Sequence, residues 1–333
     1  MRQTRASSTA ANETDLIDCP YLSKNNVWLT VLLYVSTPIC LTGFALNAIS
    51  FVILRKHNSR SNSFHLLQIL AVVDNCFLLV SVSLVNARRF FAYLTYGWQF
   101  FYLSDAFIGP RFLVYLAPPH LTMRMIRNWL IVLMSLDRAI HIVFPLKSIV
   151  LCTKFKLNLS FAFIVACSVG LHGFKFCCLT LAEQIPKCPA IDIPLLRFHN
   201  EIPAVFGELS LVALIIILPF VILCVTNTIL SVHLYQARTN RQMLTSGGPQ
   251  GKDQELQATL LALGIVVTFL VCESPNSVER IVEIAFYDGK RLRTHPMMQV
   301  SIQIDSCVNF LVYCLSSKKF RTLTAQMLTM RKE

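Results

Sequence analysis

Seven separate apolar runs, each close to the length that crosses a lipid bilayer, constrain this chain more than any other feature. A spanning helix needs about 20 predominantly apolar residues. Runs of that order extend from about Trp28 to Leu54, Ser63 to Val85, Arg111 to Phe144, Phe155 to Leu181, Ala204 to Tyr235, Glu255 to Tyr287 and His295 to Leu315. Inside lipid the backbone must satisfy its own hydrogen bonds, so such runs become helices. The expected fold is therefore an all-α membrane protein: a seven-transmembrane helix bundle over residues 28–315, after a tail of residues 1–27. Residues 316–333 are expected to form a short amphipathic helix, because Phe320, Leu323 and Met327 fall on one face that can lie on a membrane surface. Composition agrees: 14% of residues are charged, against about a quarter in soluble domains.

The net charge of +12 is spread over short loops without a long basic run. It reads as charge flanking membrane spans, interacting with lipid headgroups rather than nucleic acid. The twelve cysteines show no CxxC or Cys/His metal spacing, and most lie inside apolar runs, where cysteine acts as a small hydrophobe. No metal and no cofactor is expected. HExxH, GxSxG and P-loop motifs are absent, so the chain is not expected to be an enzyme; no repeat of the transporter kind is found. The first 26 residues hold no apolar h-region, so no cleavable signal peptide is expected. Asn12-Glu13-Thr14 is a glycosylation sequon. An extracellular N-terminus and a cytoplasmic C-terminus also give the side bearing the tail the larger share of Lys and Arg. The expected location is the plasma membrane.

The third run ends in Asp137-Arg138, where it leaves the bilayer. A guanidinium there either snorkels to headgroups or meets a partner that residues deeper in lipid cannot reach. Further polar and proline positions are spaced along the runs. They are Gly43-x-x-x-Asn47, Leu70-Ala71-x-x-Asp74, Pro219, Phe269 with Cys272-x-x-Pro275, and Asn309-x-x-x-Tyr313. Together with Asp137-Arg138 this order and spacing resembles the rhodopsin-like (class A) G-protein-coupled receptors across nearly the whole chain. Within them it looks like the invertebrate FMRFamide-type neuropeptide receptors. That likeness rests on His65-Leu66-Leu67-Gln68, Pro145-Leu146-Lys147-Ser148 followed by Leu151-Cys152-Thr153, Phe310, and Lys318-Lys319-Phe320-Arg321. Nematode serpentine chemoreceptors share some of these positions.

The resemblance implies a receptor for a short extracellular neuropeptide that engages a heterotrimeric G protein when its sixth helix swings outward. The alternatives are a chemosensory receptor for a small molecule and a degenerate receptor with little signalling. Asp137, Arg138, Glu255, Pro275, Asn309 and Tyr313 would form the activation switch, with Arg138 locked to Asp137 and Glu255 in the inactive state. Pro219 and Pro275 each remove a backbone hydrogen bond and let a helix bend. Departures from the family pattern are specific. Leu113 stands where the outer-disulfide cysteine of the third helix is usual, leaving Cys188 unpaired or paired elsewhere, for example with Cys19. Ala139 and Asn227 replace tyrosines, and the fourth span lacks its tryptophan.

A further polar set lies within the runs: Asn47, Asp74, Arg124, Arg127, Glu273 and Asp305. Each intramembrane charge costs at least about 2.5–3.5 kcal/mol near the bilayer centre, so these groups are expected to face inward and pair. By the family's register, Arg127 takes the place of a position that helps Asp74 bind sodium, and Asp305 lines the same pocket. Arg127 is thus expected between Asp74 and Asp305. Arg124, one turn away, is expected to face Glu273, which stands where the family has a tryptophan. Towards the outer ends, Asn276, Glu279 and Glu283 share one face of the sixth run, with Glu208 on the fifth. Peptides ending in Arg-Phe-amide need carboxylates for the arginine and an aromatic cleft. The carboxylates would be Glu208, Glu279 and Glu283. Tyr115 and Phe286 would build the cleft, with Phe101, Tyr102 and Phe107 as further aromatics.

Overall fold

A computed structural model describes residues 26–56, 62–96, 109–182, 195–198, 213–243, 251–285, 296–316 and 318–328. Among them are seven long helices: α1 (Asn26–Lys56), α2 (Asn62–Tyr96), α3 (Gly109–Val143), α5 (Lys154–Cys178), α6 (Leu218–Met243), α7 (Gly251–Ala285) and α8 (Pro296–Ser316). A short helix, α4 (Pro145–Leu151), links α3 to α5, and α9 (Lys318–Leu328) follows α8. The all-α reading holds, with one addition: β1 (Leu179–Ala182) pairs antiparallel with β2 (Leu195–Phe198) beyond the end of α5. The apolar run past Cys178 is thus part of a ribbon, not of the helix.

The pattern of burial is that of a protein solvated by lipid. Large apolar side chains face outward, among them Leu41, Leu79, Phe163 and Val271, while Asn47, Asp74, Arg127, Asn128, Gln303, Asp305, Ser306 and Asn309 are buried. Among the described residues five helices are long and apolar enough to cross a membrane, and a sixth joins them if the bent α8–α9 pair is taken together. The helix missing from that set is α3, which carries Arg124, Arg127, Asp137 and Arg138. Its charges are accommodated because it packs against protein on several sides, meeting α2, α5, α6 and α7.

α2 continues past Val85, through Arg88-Arg89, to Tyr96. Between Asn62 and Tyr96 there is no glycine or proline, so nothing interrupts the hydrogen-bond ladder. Prolines elsewhere do interrupt it, and the carbonyls they release are met by side chains. Pro219 cannot donate to the Ile215 carbonyl, four residues earlier. Asn128 Nδ2 on α3 donates to that oxygen at 2.8 Å, and Trp129 Nε1 donates to the Leu214 carbonyl at 3.0 Å. These carbonyls lie in a turn of π-helix, Ala213–Ile217, that leads into α6. Pro275 frees the Val271 carbonyl in the same way, and Ser274 Oγ donates to it at 3.0 Å.

The residues that suggested the neuropeptide-receptor likeness hold elements together. Gln68 Nε2 donates to the Leu54 carbonyl at 3.0 Å, joining α2 to α1, and His65 Nε2 lies 2.8 Å from Asn158 Oδ1 on α5. Phe310 and Tyr313 pack on Phe320, with ring centroids 5.8 and 5.5 Å apart. Arg321 Nη1 donates to the Cys314 and Leu315 carbonyls, filling the last acceptors of α8. The apolar face of α9 therefore packs partly inward: Phe320 is buried in the main core.

Gly43 allows α1 to approach its neighbours. A Cβ there would overlap Cys307 Sγ on α8 and come within 2.9 Å of Leu78 Cδ1 on α2. Overpacking of this kind costs about 1–3 kcal/mol. Gly43→Ala should lower the melting temperature of the detergent-purified protein, and adding Cys307→Ala should recover part of the loss. No recovery in the double variant would mean that Cys307 is not the obstructing group.

Candidate functional site

At the centre of the bundle Arg127 is fully enclosed. Its Nε donates to Asp74 Oδ1 on α2 at 2.6 Å, and its Nη2 pairs with Asp305 Oδ2 on α8. Asn309, one turn beyond Asp305, donates through Nδ2 to Asp74 Oδ2 at 2.6 Å, so both oxygens of Asp74 are engaged. The Arg127 guanidinium also lies 6.0 Å from the centroid of the Phe77 ring, within cation–π range. Asn47 on α1 donates to the Ser306 carbonyl at 2.9 Å. Four helices thus meet in one polar layer.

Arg124 is one turn away on the same face of α3. Its Nη2 donates to Glu273 Oε2 on α7 at 2.6 Å, with the side chains 8% and 1% exposed. Asn276 Nδ2 donates to the same oxygen at 3.3 Å. Asn276 is fully buried and so belongs to this layer. Glu273 Oε1, Arg124 Nε and Arg127 Nη1 have no hydrogen-bond partner among the described residues.

A second charged layer sits at the far end of α3. Arg138 donates through Nη2 and Nε to Asp137 Oδ2 at 2.7 and 3.1 Å. Its side chain is 4% exposed, so it folds inward instead of snorkelling. His141 Nδ1 donates to the Asp137 carbonyl at 2.8 Å and lies 3.5 Å from Asp137 Oδ1. The Cys152 thiol hydrogen-bonds to the Asp137 carboxylate; burial, then that carboxylate, pushes the thiol up to about 11. Tyr313 is buried on the α8 face that carries Asp305 and Asn309, and its hydroxyl has no hydrogen-bond partner among the described residues.

The structure therefore brings together Asn47, Asp74, Arg124, Arg127, Glu273, Asn276, Asp305 and Asn309 in one layer and holds Asp137 with Arg138 in another. Pro275 lies within α7. The side chains of Tyr115, Glu255, Glu279 and Glu283 fall outside what is described, as do the residues Asn12, Cys19, Phe101, Tyr102, Phe107, Cys188, Glu208 and Phe286. Sequence reasoning missed Asn128, Trp129, His141 and Cys152. Asn128 was visible as a polar residue in an apolar run, but its partner is 87 positions away. His141 offered only its place one turn beyond Asp137.

The model for the seven-transmembrane receptors of the rhodopsin family matches residues 47–316, and the chain belongs to that family. It is a multi-pass membrane receptor by fold and by descent. Among curated proteins it is similar to the FMRFamide receptor of Drosophila melanogaster, with 23% identity over 311 residues, 91% of this chain and 55% of that one. The chain spans about half the length of that relative. The family read from the spaced motifs is borne out, and so is the resemblance to an FMRFamide receptor.

Removing one partner of a buried ion pair costs about 3–5 kcal/mol, because the remaining charge is stranded. Arg127→Leu should therefore abolish most surface expression, whereas Arg127→Leu with Asp74→Asn and Asp305→Asn should restore a measurable part. Equal loss in the single and triple variants, read by antibody labelling of intact cells, would refute the pairing as the reason Arg127 is needed.

Proposed function

We propose that this chain is a G-protein-coupled receptor for a short extracellular peptide of the FMRFamide-like kind. In this reading the N-terminus is extracellular and the Asp137-Arg138 layer faces the cytoplasm. The observation that carries it is the inward Arg138, buried and doubly bonded to Asp137. A charge kept in a closed position at the end of the central helix suits a group released when a partner binds. Glu255, at the same end of α7, would complete the lock. An outward swing of α7 about Pro275 would break it and open a cleft for a G-protein helix, with Tyr313 moving to hold the open state.

On the extracellular side the reading assigns Glu208, Glu279 and Glu283 to the peptide's arginine. Tyr115 and Phe286 would receive its aromatic side chain. Planar carboxylates suit a guanidinium. Asn276, bonded to Glu273, would link that mouth to the buried pair beneath. The similarity to the FMRFamide receptor of Drosophila melanogaster supports this choice of ligand class.

Cells expressing the chain and challenged with amidated peptides ending in Arg-Phe should give a second-messenger response. Arg138→Ala should remove it in cells matched to the wild type for the amount of receptor at the surface, since stranding the buried Asp137 will itself lower expression. Silence to every such peptide, with the wild-type protein shown at the surface, would overturn the peptide reading. It would move weight to a small-molecule chemosensor or a receptor that no longer signals.

A further inference from the structure

Beyond the receptor reading, the end of α3 carries a group of side chains with a different chemistry. Asp137 and His141 are separated by one helical turn and so share a face. Cys152 is the residue that ends α4, and its backbone N–H donates to the Ser148 carbonyl at 2.8 Å. The chain reversal between α3 and α4 carries this cysteine back to the helix it left. One carboxylate oxygen of Asp137, one imidazole nitrogen of His141 and the Cys152 sulfur all lie within 4.8 Å of one another. Cys152 forms no disulfide.

We propose that Asp137, His141 and Cys152 form a binding site for a divalent transition metal, zinc above all. A sulfur, a nitrogen and an oxygen make a mixed set that suits zinc, whereas calcium and magnesium favour oxygen alone. Three protein ligands leave a fourth tetrahedral position for water. Metal–ligand bonds of about 2.0–2.3 Å require a closing movement from the spacing in the structure. Ligation through His141 Nδ1 would replace its hydrogen bond to the Asp137 carbonyl, the ring proton then residing on Nε2. His141 can supply the movement, since its side chain is 27% exposed while that of Asp137 is enclosed. The same exposure gives the ion a way in. As the metal–sulfur bond forms, the thiol gives its proton to solvent.

The two oxygens of Asp137 have different neighbours: Oδ2 accepts from Arg138, and Oδ1 faces His141. A dication on the Oδ1 side leaves the Arg138 contact sterically intact. It also shares the carboxylate's charge and so weakens its hold on the guanidinium. The bound ion would tie the end of α4 to α3 while loosening Arg138. If the orientation proposed above is right, this site faces the cytoplasm, where thiols stay reduced and where a G protein would dock. The absence of a metal motif in the sequence is no obstacle, because only the fold brings Cys152 to His141.

Cobalt(II) titrated into the detergent-purified receptor is the direct probe. It should give a thiolate-to-cobalt charge-transfer band that zinc bleaches at one equivalent. Cys152→Ser should remove the band, and His141→Gln should weaken cobalt binding at least tenfold, both with monodisperse, unshifted melting profiles. A second approach covers misfolding: if either variant melts early, labelling of Cys152 by a thiol reagent in the wild-type protein should be blocked by zinc. No charge-transfer band, a band unchanged in both variants, or labelling unaffected by zinc would each overturn the site. None of these readouts needs a peptide or a G protein, so failure here is distinct from failure of the receptor reading.

Discussion

The bundle depends on one guanidinium placed where lipid-facing chemistry forbids it. An isolated arginine in the middle of a membrane protein is costly, and Arg127 is tolerated because α2 and α8 each bring a carboxylate to it. The pairing works in both directions. Without Arg127, Asp74 and Asp305 would face each other across a low-dielectric interior; without them α3 would carry an unmet charge. Neighbouring contacts are built around this one. Asn309 can bond Asp74 only when α8 has the rotation that Asp305 requires, and Asn47 reaches the carbonyl of Ser306, the next residue after Asp305. Since lipid tails give helices little hydrophobic reason to associate, such polar layers carry much of the specificity of packing.

The two prolines of α6 and α7 are accommodated differently, and the difference bears on movement. The carbonyl freed by Pro219 is satisfied from another helix, by Asn128, so straightening or shifting that turn costs an interhelical bond. The carbonyl freed by Pro275 is satisfied by Ser274, its own neighbour, and this bond travels with the helix. α6 is thus tied at its bend to α3, whereas the bend of α7 is satisfied within its own helix. A receptor that signals through one swinging helix would place its local satisfaction on that helix.

How far the molecule could be read before its fold was known follows from the range of each signal. Span length and polarity are local, so the seven helices were legible, including α3 with its buried charges. The end of α2 was misjudged because Arg88-Arg89 looks like a loop, whereas a chain free of glycine and proline simply continues its ladder to Tyr96. The partners of Arg127 are 53 and 178 residues distant. No periodicity connects them, and only the register of a known family suggested bringing them together. Where that register had nothing to say, as for Asn128 on Ile215 or Cys152 beside Asp137, the contact was invisible. Nothing local distinguishes a thiol that ends a loop helix from the other cysteines scattered through the runs.

The two charged layers are joined by rigid elements rather than by a chain of contacts. Arg124, Arg127 and Arg138 project from one helix, and Asp305, Asn309 and Tyr313 recur every four residues along one face of α8. The pair between Arg124 and Glu273 ties the central layer to α7 two residues before Pro275. A ligand group that drew Arg124 away from Glu273 would release α7 just below its pivot, while Arg127 kept α2, α3 and α8 fixed. Movement would then be confined to the helix whose bend satisfies itself. The arrangement would set α2, α3 and α8, held by two carboxylates on one arginine, apart from α7, whose charged tie to α3 is the pair between Arg124 and Glu273 and which also meets the bundle through apolar packing.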